Sequence, residues 1–280
     1  MLHFKKYHGL GNDYIVMEPE EFTDSPDVQQ VQRICHRNLG VGSDGILLGP
    51  LSSESCDFRL RIFNPDGSEA EKSGNGLRIF ARALWDAGRV GEQPFTIETL
   101  GGNVICRIHP GAEIITVEMG GVSFSSTEIP VSGPERDVIS ETLSIGDESL
   151  TISAATIGNP HCVVLAENLS ADEAIRLGPH ISTHPSFPNG INVQFMKVLG
   201  RDAIQIEIWE RGAGYTLASG SSSTAAAAVA RKLGHCDDNI SVRMPGGTLQ
   251  ISFDDAFNAT MTGPVTPVCE GDIADEIFDN

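Results

Sequence analysis

The sequence of 280 residues predicts an α+β protein that consists of two similar domains. Segments in which apolar and polar residues alternate, such as residues 58–63, indicate strands with one buried face. Segments with helical spacing of apolar residues lie between these strands, and the same strand–turn–helix arrangement returns after 146 residues. We therefore expect one domain at residues 1–119 plus 264–280 and the other at residues 120–263.

The helices have recognisable boundaries. Ser25 as N-cap and Pro26 as the first helical residue predict a helix that ends near residues 38–40. A second helix follows Ser73 and ends at Gly88, because glycine readily adopts the left-handed conformation after a helix. A third helix is predicted at residues 224–233, and its run of alanines indicates tight packing inside a sheet.

The repeat concerns the positions at which ligands usually bind. The matching positions, 145–147 residues apart, are Gly11-Asn12 with Gly158-Asn159, residues 58–63 with 204–209, Ser73-Gly74 with Ser219-Gly220, Gly88 with Gly234, and Gly101-Gly102 with Gly246-Gly247. A helix N-terminus offers unpaired N–H groups and a positive dipole end, which suit a carboxylate or phosphate. We expect two such termini and two asparagine loops to hold one small anionic or zwitterionic ligand in a cleft between the halves.

The composition excludes several function classes. A net charge of −19 argues against a nucleic-acid surface, which needs a basic face. The N-terminus has no apolar leader segment and the chain has no long apolar run, so we expect a cytoplasmic protein without membrane contact. The six cysteines are scattered, which favours reduced thiols over a disulfide framework.

Three local patterns resemble functional motifs but are interpreted as structural. The G-x-G-x-x-G at residues 40–45 follows a helix and precedes a strand, the reverse of the dinucleotide fingerprint, and is therefore interpreted as a turn. Ser219 lacks the glycine that a hydrolase nucleophile elbow requires at the position of Leu217. His180 and His184 lie among prolines, so we expect a loop there and no metal site.

Six motifs together resemble the diaminopimelate epimerase family and span nearly the whole chain. They are residues 8–13 (HGLGND), 64–69 (NPDGSE), 74–76 (GNG), 158–162 (GNPHC), 190–193 (GINV) and 210–214 (ERGAG). The resemblance implies two pseudo-symmetric domains, each a mixed or antiparallel sheet wrapped around a central helix. It also implies a cofactor-independent isomerase that interconverts LL- and meso-diaminopimelate, a precursor of lysine and peptidoglycan, by two-base α-proton transfer. The partner expected is a small amino-acid substrate, and a homodimer stays open.

The resemblance assigns roles to individual residues. The two acid/base positions fall on Ser73 and Ser219, and the helix N-termini would stabilise the charge that develops on the substrate carboxylate. The residues implied to bind substrate are Asn12, Asn64, Gly74, Asn75, Asn159, His161, Asn192, Glu210, Arg211, Gly220 and Ser221. For His161 an orienting role is the alternative.

The chain departs from the family pattern at the two acid/base positions. The family has cysteine immediately before each cradle glycine, whereas this chain has Ser73 and Ser219. Tyr215 also stands where the family pattern usually has Glu, and Gly45 stands where the family often has a polar side chain. A serine hydroxyl acts as a base only when another group takes its proton. Three explanations are open: a retained epimerase reaction with proton relay, another reaction on a carboxylate such as a double-bond shift or dehydration, and binding without catalysis, which includes an engineered cysteine-to-serine exchange.

Overall fold

The structure, a computed structural model, describes residues 1–22 and 25–279. The chain forms two compact units, Met1–Glu118 with Thr262–Asn280 and Met119–Met261. The domain limits expected from the sequence differ from these bounds by no more than two residues. That these units are the functional domains of the protein stays a prediction.

The chain is rich in strands. In chain order these are β1 (Leu2–Gly9), β2 (Asn12–Met17), β3 (Ile46–Leu51), β4 (Phe58–Phe63), β5 (Glu69–Ala70), β6 (Phe95–Thr99), β7 (Gly102–Ile108), β8 (Ile114–Gly121), β9 (Glu141–Ile145), β10 (Glu148–Thr156), β11 (Pro160–Leu165), β12 (Asn192–Gly200), β13 (Ala203–Glu210), β14 (Gly214–Thr216), β15 (Asn239–Met244), β16 (Gly247–Phe253), β17 (Asn258–Pro264) and β18 (Thr266–Ile273). The helices are α1 (Val28–Cys35), α2 (Gly74–Asp86), α3 (Ala171–Ser182) and α4 (Gly220–Lys232), with short 3₁₀ helices at Pro19–Glu21 and Asp275–Phe278.

The two units repeat one topology. In the first, β1–β2 is antiparallel, β2–β3 parallel, β3–β4 antiparallel, β4–β6 parallel and β6–β7 antiparallel. The second has the same senses in β10–β11, β11–β12, β12–β13, β13–β15 and β15–β16. Even the outer pairings correspond, since β18 adds to β1 as β9 adds to β10. The predicted internal repeat and α+β fold class are confirmed.

A buried helix lies at the centre of each unit. Helix α2 packs against β1, β2, β3 and β7, and α4 packs against β10, β11, β12, β13, β15 and β16. Residues 225–230 of α4 are at most 1% exposed, and all but Val229 are alanine. Alanine side chains let surrounding strands approach the helix closely without large cavities. The sequence prediction of a small-residue helix inside a sheet is confirmed.

Two helix predictions are wrong in detail. Helix α1 begins at Val28, because Asp27 and Gln30 form a reciprocal capping box, and it ends at Cys35. The segment around His180, predicted as a loop, belongs to α3, which contains Pro179. The apolar side chains of α3 join the core of the second unit, and this packing outweighs the hydrogen bond that proline cannot donate.

Candidate active site

Ser73 caps the N-terminus of α2. Its Oγ accepts a hydrogen bond of 3.0 Å from the backbone N–H of Gly76. A side chain at Gly76 would bring a Cβ to 3.2 Å from this Oγ and to 3.0 Å from Leu47, so it would crowd the cap. The side chain is half-buried, and the hydroxyl retains a proton that it can donate elsewhere.

The predicted asparagine contacts of the first unit join the start of α2. The Asn75 side chain, which is buried, donates to Oδ1 of Asn12 at 2.9 Å and accepts from Arg78 at 2.8 Å. The Asn12 amide in turn donates to the carboxylate of Asp44 at 2.9 Å. The structure therefore brings Asn12, Gly74 and Asn75 to one end of α2, next to Ser73.

Asn64 belongs to a separate turn. Its amide donates to Oγ of Ser68 at 3.0 Å, within the turn that joins β4 and β5. Its assignment as a substrate contact stays a prediction, because the hydrogen bond between Asn64 and Ser68 lies outside the hydrogen-bonded group around Ser73.

Tyr14 is a residue of the site that sequence reasoning missed. Its hydroxyl lies 3.1 Å from Oγ of Ser73. The Tyr14 ring passes over Gly45, where an added Cβ would lie 2.7 Å from the ring and 2.5 Å from the carbonyl oxygen of Phe63. The departure at Gly45 thus has a steric reason: only a residue without a side chain leaves room for the Tyr14 ring. The sequence signal that could have identified Tyr14 is the internal repeat, in which Tyr14 and His161 occupy corresponding positions.

Ser219 caps α4 in the corresponding way. Its Oγ lies 3.4 Å from the backbone N–H of Ser222, which donates to it, and 3.4 Å from Oγ of Ser221. Asn159 donates its amide to Ser221 at 3.4 Å. The repeat-related pair in the first unit is Asn12 and Asn75, where the helix residue Asn75 is the donor. Ser219, Ser221 and Asn159 therefore form one hydrogen-bonded group at the start of α4, where Gly220 is the first helical residue.

His161 supports this group from inside the unit. Its ring is fully buried, and Nε2 lies 3.0 Å from the carbonyl oxygen of the Asn159 side chain. Burial lowers the pKa of His161 to about 3, against a smaller raising effect from Gln194. The imidazole is therefore neutral at pH 7, and its Nε2–H donates to Asn159. This geometry suits an orienting role.

Asn192 holds together the two loops that carry the remaining predicted residues. Its amide donates to the carbonyl of Pro160 at 3.1 Å, and its Oδ1 accepts from the backbone N–H of Arg211 at 2.9 Å. The Arg211 side chain is exposed and donates to the carbonyl of Asn189 at 2.7 Å. Glu210 ends β13 beside it.

Tyr215 has a clear local partner. Its hydroxyl donates to the carboxylate of buried Glu207 at 2.7 Å, and burial, followed by Glu207, raises the pKa of Tyr215 to about 12. The repeat-related positions in the first unit, 146 residues earlier, form the ion pair Arg61–Glu69. Since Glu207 occupies the arginine position, a carboxylate at 215 would face another carboxylate, whereas a tyrosine can donate.

Residues 1–22 and 25–279 can be compared with the requirements of metal sites and membrane-spanning helices. Within these ranges no group of three or more His, Cys, Asp or Glu residues could hold a metal ion. No helix there is long and apolar enough to cross a membrane. All six cysteines are free, and none lies in the hydrogen-bonded groups of Ser73 or Ser219.

The fold is that of known racemases and epimerases. A hydroxyproline epimerase from Agrobacterium vitis superposes with a TM-score of 0.72 at 16% identity, over 96% of this chain and 90% of that chain. A probable proline racemase from Agrobacterium radiobacter K84 superposes with a TM-score of 0.70 at 16% identity, over 100% of this chain and 94% of that chain. At this level of identity the likeness concerns the fold alone.

Sequence comparison defines the family. The diaminopimelate epimerase family model matches residues 4–125 and 153–268. The chain is 57% identical over 275 residues to diaminopimelate epimerase 2 of Nostoc sp., covering 98% of this chain and 96% of that protein. It is 37% identical over 276 residues to the diaminopimelate epimerase of Moorella thermoacetica, covering 97% of this chain and 99% of that protein. The chain belongs to the diaminopimelate epimerase family, and the predicted family and isomerase class are confirmed.

Proposed function

We propose that this protein interconverts LL- and meso-diaminopimelate by moving the α-proton between two bases without a cofactor, in lysine and peptidoglycan precursor biosynthesis. The observation that carries the proposal is the pair of 13-residue helices, α2 and α4, each capped by a serine at the family's acid/base position. Full-length identity of 57% to diaminopimelate epimerase 2 supports the choice of substrate.

Ser73 and Ser219 take the acid/base roles in this proposal. One hydroxyl oxygen receives the α-proton from one face of the substrate carbon, and the other hydroxyl donates a proton to the opposite face. Each oxygen already accepts a backbone N–H of its own helix, which favours the deprotonated state of a hydroxyl at that place. Since a hydroxyl is a far weaker acid than a thiol, each serine needs a neighbour that exchanges its proton.

The N-termini of α2 and α4 are the proposed carboxylate cradle. Gly74-Asn75 and Gly220-Ser221 are buried or half-buried residues of the first helical turns, where N–H groups have no partner within the helix. These donors can stabilise the negative charge that moves onto the substrate carboxylate as the α-proton leaves. Their contribution is largest in the transition state, because the charge is largest there.

The remaining predicted residues are proposed to read the distal amino-acid end of the substrate. Asn64, Asn159, Asn192 and Asn12 offer neutral donors and acceptors, and Glu210 and Arg211 offer opposite charges for an ammonium and a carboxylate. Asn192 supports this by fixing the backbone at Arg211. His161 is proposed to orient Asn159 within this set.

Turnover of LL-diaminopimelate in D₂O tests the proposal. Formation of the meso isomer, followed by chiral chromatography, should coincide with deuterium incorporation at the α-carbon, and Ser73→Ala and Ser219→Ala should abolish epimerisation. Binding of diaminopimelate without exchange would contradict it, and so would exchange in a Ser73→Ala, Ser219→Ala double variant. A cytoplasmic location and a homodimer are predictions that fractionation and light scattering would test.

A further inference from the structure

The two serines have chemically different neighbours. Ser73 Oγ lies 3.1 Å from the phenolic oxygen of Tyr14, a titratable group. Ser219 Oγ lies 3.4 Å from Ser221, whose hydroxyl accepts from Asn159, and this chain of contacts leads to neutral His161. Although Tyr14 and His161 occupy repeat-related positions, the two residues make different contacts with the capped helix of their own unit.

Two contacts with Gly45 hold Tyr14 against Ser73. The backbone N–H of Ile15 donates to the carbonyl of Gly45 at 3.1 Å, which fixes the adjacent residue Tyr14 beside Gly45. The missing side chain at Gly45 then admits the ring, since a Cβ there would lie 2.7 Å from it. The Tyr14 side chain is buried, so its hydroxyl is directed by packing and is not free to turn into solvent.

We propose that Tyr14 is the positioning residue and proton partner of Ser73, so that the Ser73 half of the reaction runs through a phenol–hydroxyl pair. This inference rests on the proposed epimerase function. It explains how one of the serines serves at a position where the family has a thiol, and why Gly45 accompanies the change.

The proton transfer balances within this pair. In the direction in which Ser73 is the base, the substrate Cα–H bond breaks and its electron pair is delocalised onto the substrate carboxylate. The pair acts as a base in the form that it reaches by donating a proton to Cα in the reverse direction, with Ser73 protonated and Tyr14 as the phenolate. The α-proton forms a new O–H bond with Ser73 Oγ, while the proton that Ser73 carried moves to the Tyr14 oxygen and restores the phenol. In the reverse direction the Tyr14 phenol returns its proton to Ser73 as Ser73 protonates Cα.

Tyr14→Phe is the test variant, and the chain supplies a matched control. Phenylalanine retains the ring that fits over Gly45 and removes only the hydroxyl. Tyr7→Phe removes another buried phenol of the same unit, which hydrogen-bonds Asp86 at 3.1 Å at the opposite end of α2. Circular dichroism melting of both variants shows whether they fold as the wild type does.

The expected kinetic result is a fall in kcat of about 100-fold in Tyr14→Phe, within the usual range for loss of one acid/base partner, with KM nearly unchanged. Tyr7→Phe should retain wild-type kcat. The sharper readout is rescue: a thiol ionises without a phenol, so adding Tyr14→Phe to a Ser73→Cys variant should lower kcat by no more than about threefold.

The possible outcomes separate the two proposals. A wild type that exchanges no α-proton of diaminopimelate overturns the proposed function and this inference with it. An active wild type with an unimpaired Tyr14→Phe variant overturns this inference alone. Equal losses from Tyr14→Phe in the Ser73 and the Ser73→Cys backgrounds also overturn it, because they would assign Tyr14 a purely structural role.

Discussion

Buried His161 should make the stability of the second unit depend on pH in a way that one substitution removes. The ring is fully buried, and its folded-state pKa of about 3 lies below the usual value of 6.5. Between these values the unfolded chain binds a proton at this residue and the folded chain does not. By linkage, folding stability therefore falls as pH falls through this window and is unaffected by His161 above the unfolded-state value.

The magnitude follows from the width of the window. Each pH unit below 6.5 should cost about 1.4 kcal/mol, so that lowering the pH from 6.5 to 5 costs about 2 kcal/mol through His161. His161→Gln retains an amide N–H that can donate toward Asn159 but cannot titrate. The variant should be less stable than the wild type at pH 7, by about 1–3 kcal/mol for the altered buried hydrogen bond, and should lose this pH-dependent contribution.

Urea unfolding at pH 7, 6 and 5, followed by circular dichroism, measures the difference. The stability gap between wild type and His161→Gln should narrow by about 2 kcal/mol as the pH falls from 7 to 5. A gap that stays constant over this range would show that His161 binds its proton equally in both states, and would refute the assignment of a buried, neutral imidazole behind Asn159.

Two further predictions concern the first unit and the serines. Gly45→Ala should destabilise the protein by about 1–3 kcal/mol and lower kcat, because its Cβ collides with the Tyr14 ring. The control Gly91→Ala has open space around it and should change neither stability nor kcat. Equal unfolding midpoints for the two variants would contradict the packing argument. Iodoacetamide should leave wild-type activity intact and should inactivate a Ser73→Cys, Ser219→Cys variant. This double variant should also turn over faster than the wild type if the rest of the pocket is intact. Rapid inactivation of the wild type would instead place an essential thiol in the site.

The sequence predicted the repeat and the capped helices because both depend on local chemistry. Serine before a small residue at a helix start is a recognisable cap. Ser73 and Ser219 occupy corresponding positions of the repeat, so the same role was predicted for both. The partners Asn12 and Asn159 followed from the same offset. Their contacts with Asn75 and Ser221 correspond across the units, as duplicated backbones require.

What the sequence could not predict depends on contacts between distant segments. Tyr14 and Ser73 are 59 residues apart, and their contact requires the register of β2 against β3 together with the missing side chain at Gly45. The role of Tyr215 depends on Glu207, which lies diagonally across the β13–β14 pair from it. Helix α3 continues through Pro179 because tertiary packing of its apolar face outweighs the local preference of proline to end a helix.

The central claim is that Ser73 and Ser219 exchange the α-proton of diaminopimelate, and deuterium incorporation from D₂O by single-serine variants tests it most directly. The wild type should incorporate deuterium at the α-carbon as it forms the opposite isomer. Ser73→Ala and Ser219→Ala should each fail to epimerise diaminopimelate. Any deuterium exchange at the α-carbon that remains in a single variant should occur with only one of the two stereoisomers, because a single base remains. Unchanged epimerisation in either variant would contradict the claim and assign the proton transfer to other residues.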